Sequence, residues 1–278
     1  MAYTRSHFAA TVQNDFANRQ RRNNMLVDKS VRLSASAALE ARSLGHPDFE
    51  HLQVGERRTE PMVAVFLDLT NFTGRTFWDP QEETVDLAHA VLTGFIEIVN
   101  IWGGHPLGLR GDGLFAGFNP GGGHPGGRAA PEFSASMALG ACAFALDAVE
   151  NGVNPWLVQR GMAPVQARAG LDYGLITFVR TGSNERNEIN PLGFAANFAA
   201  KCEKTANSWQ IVVGQQLADL LPGYAYFTEH EKSPKQYQRN HERRLYRFYD
   251  YRWRNTLKHL PGATESLYGQ PTSRVVAI

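Results

Sequence analysis

Two aspartates in the chain occupy positions that suit the binding of metal ions. Asp68 ends an apolar run that begins at Pro61, and Asp112 lies between two glycines, Gly111 and Gly113. We predict that Asp68 ends a buried strand and that Asp112 lies in a turn on an adjacent strand. Paired carboxylates are what hard divalent cations need, and two such cations are a common device for reactions at a nucleotide phosphate. The pair therefore indicates metal-dependent chemistry on a phosphate.

Each aspartate also has an ordinary structural explanation. Asp68 can cap a turn or a helix at the end of a strand. Asp112 can serve a hairpin turn, where the sequence Gly-Asp-Gly is common. Because either explanation is sufficient for one residue alone, the metal site depends on what else the chain contains.

A second group of polar residues follows later in the chain. Arg168 precedes Gly170 in a strand-like run, where it either supports a hairpin or reaches a phosphate. Asn197 and Lys201 lie one helical turn apart and so share a helix face. Taken singly, they are also consistent with a helix-end asparagine and a solvated lysine. Together with the aspartates they form three blocks in a definite order.

The three blocks together resemble the catalytic domain of the class III nucleotide cyclases. That family carries an Asp-x-x-x-Phe-Thr segment, a later Gly-Asp turn, an Arg-x-Gly strand and a Gly-x-x-x-Asn-x-Ala helix. The corresponding segments of this chain, in family order between residue 61 and about residue 250, are Asp68–Thr73, Gly111-Asp112, Arg168–Gly170 and Gly193–Lys201. The resemblance implies an α/β fold in which helices pack on one mixed β-sheet with a ferredoxin-like core.

The reaction that this resemblance implies is a cyclisation. The 3′-hydroxyl of a nucleoside triphosphate attacks its own α-phosphate, and pyrophosphate leaves. Two divalent metal ions per site, Mn²⁺ or Mg²⁺, are expected to be held by Asp68, Asp112 and the backbone carbonyl of Leu69. Backbone N–H groups in the turn after the strand are expected to point at the β- and γ-phosphates. The residues of this turn are Asn71, Phe72, Thr73 and Gly74.

The resemblance also implies a homodimer with shared active sites. The two aspartates would come from one chain, and Asn197 and Lys201 from the other, so that a lone chain would be inactive. Asn197 would orient the ribose, and Lys201 would stabilise charge on the α-phosphate in the transition state. Lys201 stands where the family has an arginine, and a lysine lacks the bidentate fork of a guanidinium.

The positions that select the base differ from those of the purine cyclases. Adenylate cyclases of the family place a lysine four residues before the second metal aspartate and an aspartate seven residues before the ribose asparagine. Those positions are Gly108 and Asn190 here. A glycine has no side chain to bond to a purine edge, and a site without the donor loses that discrimination. The Asn190 amide can donate and accept, which suits a pyrimidine but does not separate uracil from cytosine.

These features resemble the bacterial pyrimidine cyclases of anti-phage defence, the Pycsar systems. Those enzymes make cyclic UMP or cyclic CMP as a signal for a separate effector, which the cyclase is not expected to contact. We predict a cyclase that acts on UTP in preference to CTP. Three alternatives remain open: a cytidylate cyclase, an adenylate or guanylate cyclase with an unusual base pocket, and a catalytically silent nucleotide-binding module.

The hydrophobic pattern predicts the elements that position these residues. A near-continuous apolar strand over 62–69 is expected to be buried on both faces, and a helix starts with Asp79-Pro80. The later elements are a hairpin near 106–110 and 114–118, a helix over 133–149, a hairpin of 165–172 and 175–180, a helix over 194–205, and strands over 211–213 and 244–249. The arginines near the last strand, Arg243, Arg244 and Arg247, either supply a triphosphate cation or protect a sheet edge.

We divide the chain into a helical N-terminal arm over residues 1–60, a catalytic domain over 61–252 and a C-terminal tail over 253–278. The arm includes an alanine-rich stretch, Ser34–Ala41, and is expected to pack against the domain or to brace a dimer. A glycine-rich loop over Asn119–Arg128 lacks the Gly-Lys-Ser/Thr ending of a P-loop and is expected to be a plain connection.

The composition argues against several classes of protein. The chain has 278 residues, of which 43% are hydrophobic, and a net charge of +1. These values support a folded core and give no strong field for nucleic acid or a membrane. Cys142 and Cys202 have no metal-ligand spacing and suggest a reducing compartment. Neither a secretory signal nor a segment with the length of a membrane span is visible, so we expect a soluble cytoplasmic protein with no nucleic-acid or membrane partner.

Overall fold

The computed structural model describes residues 3–27, 44–119, 131–221 and 224–260. The alanine-rich stretch, almost all of the glycine-rich loop and the last part of the predicted tail lie outside these described residues. The helices are α1 (Arg5–Val27), α2 (Phe72–Trp78), α3 (Gln81–Ile101), α4 (Pro131–Ala148), α5 (Asn154–Gln159), α6 (Phe194–Thr205) and α7 (Gln215–Ala218). A π-helical segment, Val149–Val153, joins α4 to α5, and short 3₁₀ helices span Pro47–Phe49, Tyr224–Tyr226 and Trp253–His259.

The described part of the chain contains ten strands, which form one large sheet and one small one. They are β1 (Arg57–Thr70), β2 (His105–Arg110), β3 (Gly113–Phe118), β4 (Gln166–Gly182), β5 (Asn187–Leu192), β6 (Ile211–Gly214), β7 (Phe227–Glu229), β8 (Lys235–Arg239), β9 (Glu242–Tyr246) and β10 (Phe248–Tyr251). The large sheet has the order β2-β3-β1-β4-β6-β10-β7, and β5 pairs with β4. The pair β4–β6 is parallel and the others are antiparallel. The predicted mixed sheet with packed helices is confirmed.

The central strand β1 separates two layers of core. Alternate side chains of a strand point to opposite faces, so Val65 and Leu67 pack with α3 and α4, whereas Met62 and Ala64 pack with α6. Both faces of the apolar run are therefore covered, as its composition predicts. Helix α1 shares the first layer, because its buried Phe8 lies against α3. The domain boundary near residue 60 stays a prediction.

The approach of α6 to the sheet depends on one glycine. A Cβ atom added to Gly170 would lie 2.0 Å from the backbone nitrogen of Glu203 and 2.3 Å from the carbonyl oxygen of Ala199. Real Cβ atoms do not come this close to backbone atoms, so α6 packs backbone to backbone on β4. The glycine of the Arg-x-Gly block therefore sets the distance between this helix and the sheet.

Two predicted elements differ from the structure. The expected hairpin around Tyr173-Gly174 is instead one continuous strand, β4, which pairs with β1 along all 14 residues of β1. The chain turns back only after Gly182, between β4 and β5. The single strand expected over 244–249 is divided at Arg247, because β9 pairs with β8 in the small sheet while β10 joins the large one. The first residue of the predicted tail segment, Trp253, is buried against the core, and its indole N–H donates to the Trp209 carbonyl at 2.9 Å.

Among the residues that the structure describes, two helices have the length and composition of a membrane span, contrary to the expectation from sequence. They are α3 and the helical segment Pro131–Gln159, with mean hydropathies of 1.4 and 1.3. Within the fold, 61% and 78% of these apolar windows are buried. Core helices of soluble proteins have the same length and composition, so the two helices are weak evidence for a membrane.

Candidate active site

The backbone brings the two predicted metal-binding aspartates together. Asp68 lies near the end of β1 and pairs with Gly113 on β3, and the Leu69 N–H donates to the Asp112 carbonyl at 3.4 Å. Gly111 has a φ of +64°, a conformation that favours glycine. A Cβ at Gly113 would lie 2.9 Å from a carboxylate oxygen of Asp68. The two glycines thus allow the turn and leave room for the first carboxylate beside the second aspartate.

The charges around this pair oppose one another. Burial raises the pKa of Asp112 above its usual range, and the nearby charge of Asp68 raises it further, while Arg168 acts in the opposite direction. Two carboxylates that repel in a half-buried position favour a cation between them.

Arg168 occupies the position on β4 directly opposite Asp68. Its Nε and Nη2 atoms donate to one oxygen of Asp68 at 3.2 and 2.9 Å, and Nη2 lies 2.6 Å from a carboxylate oxygen of Glu203. Its Nη1 atom donates to the Ala206 carbonyl at 3.2 Å. The guanidinium therefore links β1, β4 and α6, and it neutralises one aspartate of the pair.

Glu203 belongs to this cluster, although sequence reasoning did not identify it. Burial raises the pKa of the Glu203 carboxyl to about 7. The charge of Asp68 and a hydrogen bond with Asp68 also raise this pKa, whereas the charge of Arg168 lowers it. The signal in the sequence was its position two residues after Lys201. That spacing places Glu203 on the opposite face of α6, where the other buried residues are almost all small and apolar. A single acidic side chain on such a face needs a hydrogen-bonding or charged partner.

The donor groups fit hard divalent cations. Asp68 and Asp112 offer carboxylate oxygens, and the predicted third ligand, Leu69, offers a carbonyl oxygen. Within the described ranges, no group of three or more His, Cys, Asp or Glu side chains is arranged to hold a metal ion. Mg²⁺ is commonly held by one or two carboxylates together with substrate phosphates and water, so the pair is sufficient when a triphosphate supplies the remaining oxygens.

The predicted phosphate-binding turn begins immediately after β1. Asn71 has a φ of 58°, in the left-handed region that asparagine tolerates. Helix α2 starts at the next residue. Phe72 is buried in the core, whereas Thr73 and Gly74 are exposed. The first N–H groups of a helix have no partner within it. The turn therefore presents backbone donors close to Asp68 in sequence.

Asn197 and Lys201 face away from the aspartates of their own chain. Both are exposed on α6, whereas Glu203 on the buried side of the same helix contacts Arg168. The Lys201 ammonium donates to the hydroxyl of Tyr237 on β8 at 3.1 Å and lies 4.9 Å from the centre of that ring. One chain by itself therefore does not bring the predicted ribose and phosphate ligands to the metal ligands.

The predicted base-selecting positions lie near one cleft of about 670 Å³. Gly108 on β2 lines it, and Asn190 does not, although its neighbours Ile189 and Pro191 on β5 do. The remaining lining residues are Leu44, Gly45, His46, Glu50, Leu107, Leu109, Arg110, Phe178, Arg180, Asn187 and Glu188.

Arg247 lies at the far side of the large sheet from the aspartates. It is exposed between β9 and β10, and its guanidinium is 3.5 Å from Glu229. In the sheet, β4 and β6 separate β10 from β1. Within one chain the structure therefore does not bring Arg247 to Asp68.

Comparison with known proteins supports a relation to nucleotide cyclases. No protein-family model matches the chain. A curated "Cytidylate cyclase" from Escherichia coli is 25% identical over 180 residues, which cover 63% of this chain and 38% of that protein. The chain thus spans less than half the length of this relative.

Solved structures match over most of the described fold. The guanylyl cyclase Cya2 has a TM-score of 0.56 at 20% identity, with 72% of this chain and 94% of that chain covered. The adenylyl cyclase CyaB from P. aeruginosa has a TM-score of 0.58 at 20% identity, with 70% and 95% covered. The chain has the fold of the class III nucleotide cyclases. The resemblance in fold that the sequence blocks indicated is confirmed.

Proposed function

We propose that the chain is a metal-dependent nucleotide cyclase that converts a pyrimidine nucleoside triphosphate into its 3′,5′-cyclic monophosphate and pyrophosphate. The observation that carries this proposal is the proximity of Asp68, near the end of β1, to Asp112, in the turn that leads into the adjacent strand β3 of a cyclase-like fold. The sequence similarity to a cytidylate cyclase supports the pyrimidine class of substrate. The preference for UTP over CTP stays a prediction. CTP is the second candidate, because that relative is named a cytidylate cyclase.

The proposed reaction depends on charge neutralisation and geometry. Divalent metal ions at Asp68 and Asp112, when bound, lower the pKa of the attacking hydroxyl and stabilise charge on the phosphates. The nucleophile and the phosphorus atom belong to one molecule, so the protein mainly has to orient them. Arg168 lies beside Asp68 and is a proposed ligand of a phosphate oxygen.

The remaining groups require a second copy of the chain. Because Asn197 and Lys201 are exposed on the side of α6 that faces away from Arg168, they are available to the active site of a partner. We propose a homodimer in which Asn197 orients the ribose and Lys201 stabilises the charge that develops on the α-phosphate. Arg247 is exposed on the far side of the sheet and remains a candidate for the triphosphate of the partner's site.

The base would lie in the cleft beside β2 and β5. A side chain at Gly108 would meet no atom within 4 Å, so the cleft has free space where adenylate cyclases of this family have a lysine. The absence of that donor weakens recognition of adenine. Asn190 stays a proposed base ligand, although it is not among the residues that line the cleft, so a change of β5 or the partner subunit would have to bring it to the substrate.

The biological setting is a proposal that depends on the resemblance to the anti-phage cyclases. A cyclic pyrimidine nucleotide would act as a signal for a separate effector, and a cytoplasmic location suits that role. The principal alternative is a catalytically silent nucleotide-binding module, and direct measurement of product separates the two.

The decisive experiment measures product from each of the four ribonucleoside triphosphates with Mn²⁺, by chromatography and mass spectrometry. We expect a cyclic pyrimidine nucleotide to form at least about tenfold faster than cyclic AMP, a ratio that needs about 1.4 kcal/mol of differential transition-state binding. Asp68→Ala and Asp112→Ala should abolish the reaction. Glu132→Ala, an exposed carboxylate on α4, is the matched control and should not change it.

Three results would contradict parts of this proposal. Nucleotide binding without cyclic product from any triphosphate would favour the silent module. A preferred purine would disprove the pyrimidine assignment but not the cyclase chemistry. Near-normal activity with unchanged metal dependence in either aspartate variant would disprove the metal site.

A further inference from the structure

The Lys201 ammonium is held by one aromatic residue from another part of the chain. Tyr237 lies on β8, 36 residues after Lys201, and its hydroxyl oxygen accepts a hydrogen bond from Nζ at 3.1 Å. The same ammonium lies 4.9 Å from the ring centre, within the range of a cation–π interaction. Lys201 is otherwise exposed on α6, so Tyr237 is its principal described contact.

A lysine at this position needs such a contact more than an arginine would. The lysine side chain is a compact charge on a flexible four-carbon stem, whereas a guanidinium is planar and its donors form a rigid fork. An unrestrained ammonium has to be ordered when the substrate arrives, which weakens its effect on the transition state. A tyrosine that contacts the ammonium with both ring and hydroxyl restricts it in advance.

Tyr237 is itself fixed in place by packing. Its ring meets that of Phe194, the first residue of α6, in an edge-to-face arrangement with centres 5.6 Å apart. On the paired strand, the Tyr246 hydroxyl donates to the buried Asp172 carboxylate at 2.9 Å and accepts from the Gln216 N–H at 3.0 Å. The hairpin of β8 and β9 is thus attached to the large sheet, and it carries Tyr237 to the exposed face of α6.

We propose that Tyr237 is a positioning residue that holds the Lys201 ammonium in the direction required at the α-phosphate. The proposal rests on the proposed function, because it assumes that Lys201 acts on the reacting phosphate in the partner's site. It assigns to the β8–β9 hairpin the role of supporting a lysine where the family has an arginine.

The contact is tested without any measurement of activity. In protein labelled with ¹³C-lysine, ring currents should shift the Lys201 Hε resonance upfield, with the signal assigned by its loss in Lys201→Arg. Tyr237→Leu should remove the shift, while Tyr226→Phe, a half-exposed tyrosine elsewhere, should leave it unchanged. A Lys201 Hε resonance at the random-coil position in the unaltered protein would overturn the proposal.

The consequence for catalysis is tested by kinetics with the preferred triphosphate. We expect Tyr237→Phe to lower kcat about 3-fold to 10-fold and Tyr237→Leu about 30-fold or more, with KM and the unfolding midpoint changed little. A second comparison uses a Lys201→Arg background, in which the fork of the guanidinium no longer depends on the tyrosine. There the same Tyr237→Leu change should lower kcat less than 3-fold.

The outcomes separate this inference from the proposed function. An unaltered protein that cyclises no triphosphate would disprove the proposed function and the catalytic role of Tyr237 with it, while the ring-current measurement would still report whether the contact exists. Equal kcat in Tyr237→Leu and the unaltered enzyme would overturn the inference alone. An equal loss in the lysine and arginine backgrounds, with a lowered unfolding midpoint, would show a purely structural role and would also overturn it.

Discussion

Replacement of Gly170 by alanine tests how closely α6 must approach the sheet. An added Cβ would lie 2.0 Å from the Glu203 nitrogen and 2.3 Å from the Ala199 carbonyl oxygen. Both contacts are with backbone atoms, so no side chain can rotate to relieve them. Even a separation of 3.0 Å, below which real Cβ atoms are essentially never found, requires a movement of about 1 Å by α6 away from β4.

The expected loss of stability follows from two opposing effects. Gly→Ala reduces the conformational entropy of the unfolded chain and, without a clash, stabilises a protein by about 0.4–1 kcal/mol. Overpacking in a close-packed core destabilises by about 1–3 kcal/mol and occasionally more. Because the overlap at Gly170 is with backbone on an 8-stranded sheet and a packed helix, we expect the second effect to exceed the first by about 2 kcal/mol or more.

The same movement should impair catalysis. It would separate Glu203 from Arg168, which now lie 2.6 Å apart, and displace Asn197 and Lys201 on the outer face. A misplacement of about 1 Å at reacting groups can lower a rate about 100-fold. We therefore expect cyclase activity of Gly170→Ala to fall by about that factor under conditions where the variant is still folded.

Equilibrium urea unfolding, circular dichroism and product formation check this prediction. Gly45→Ala is the matched control for stability, because a Cβ at that residue meets no atom within 4 Å; its free energy of unfolding should change by less than about 0.5 kcal/mol. A Gly170→Ala variant as stable as the control and fully active would refute the argument that close backbone packing fixes the position of α6.

Two further predictions concern subunit sharing and pH. Mixed chains of Asp68→Ala and Lys201→Ala should recover about a quarter of unaltered activity, because half of the exchanged dimers are heterodimers and one of their two sites is intact; a mixture that exchanges subunits and stays inactive would contradict the shared site. Burial raises the pKa of Asp172 from 3.8 to about 7, so the folded state retains a proton that the unfolded chain releases. Its contribution to stability is complete below about pH 4 and is lost as the pH rises to about 7. The difference in unfolding free energy between unaltered protein and Asp172→Asn, measured by urea titration, should therefore fall from pH 5 to pH 7, and a constant difference would refute this.

The Asp68–Asp112 pair, whose metal-binding role stays a prediction, could be identified from the sequence because each aspartate belongs to a local pattern. The two patterns, an apolar strand that ends at Asp68 and a Gly-Asp112-Gly turn, can each be recognised within about ten residues. Neighbouring strands joined by such elements are expected to pair. The positions of these residues in the structure match that expectation. Arg168 was also identified, but the pattern could not supply its ion pair with Asp68, which depends on the register between β1 and β4.

The errors occurred where long-range pairing decides a local conformation. In isolation, Tyr173-Gly174 looks like a turn. In the structure, the residues before and after it in sequence pair with β1, which keeps β4 extended. Asn190 was chosen for its spacing from Asn197, and its role stays a prediction, because the pairing of β5 places its neighbours Ile189 and Pro191 in the lining of the cleft but not Asn190 itself. Glu203 and Tyr237 were missed because their partners lie 35 and 36 residues away in sequence, beyond any periodic pattern.

Helix α6 connects the two halves of the proposed chemistry. Its buried face brings Glu203 to Arg168 and hence to Asp68, the proposed metal ligand of the same chain, while Asn197 and Lys201 lie on its exposed face. A rigid helix cannot move one face without the other, so a change in the charge around Asp68 would be transmitted to the groups proposed to act in the second site. In a symmetric dimer each site would then affect its counterpart through α6, and the closeness of the helix to β4 at Gly170 determines how directly it does so.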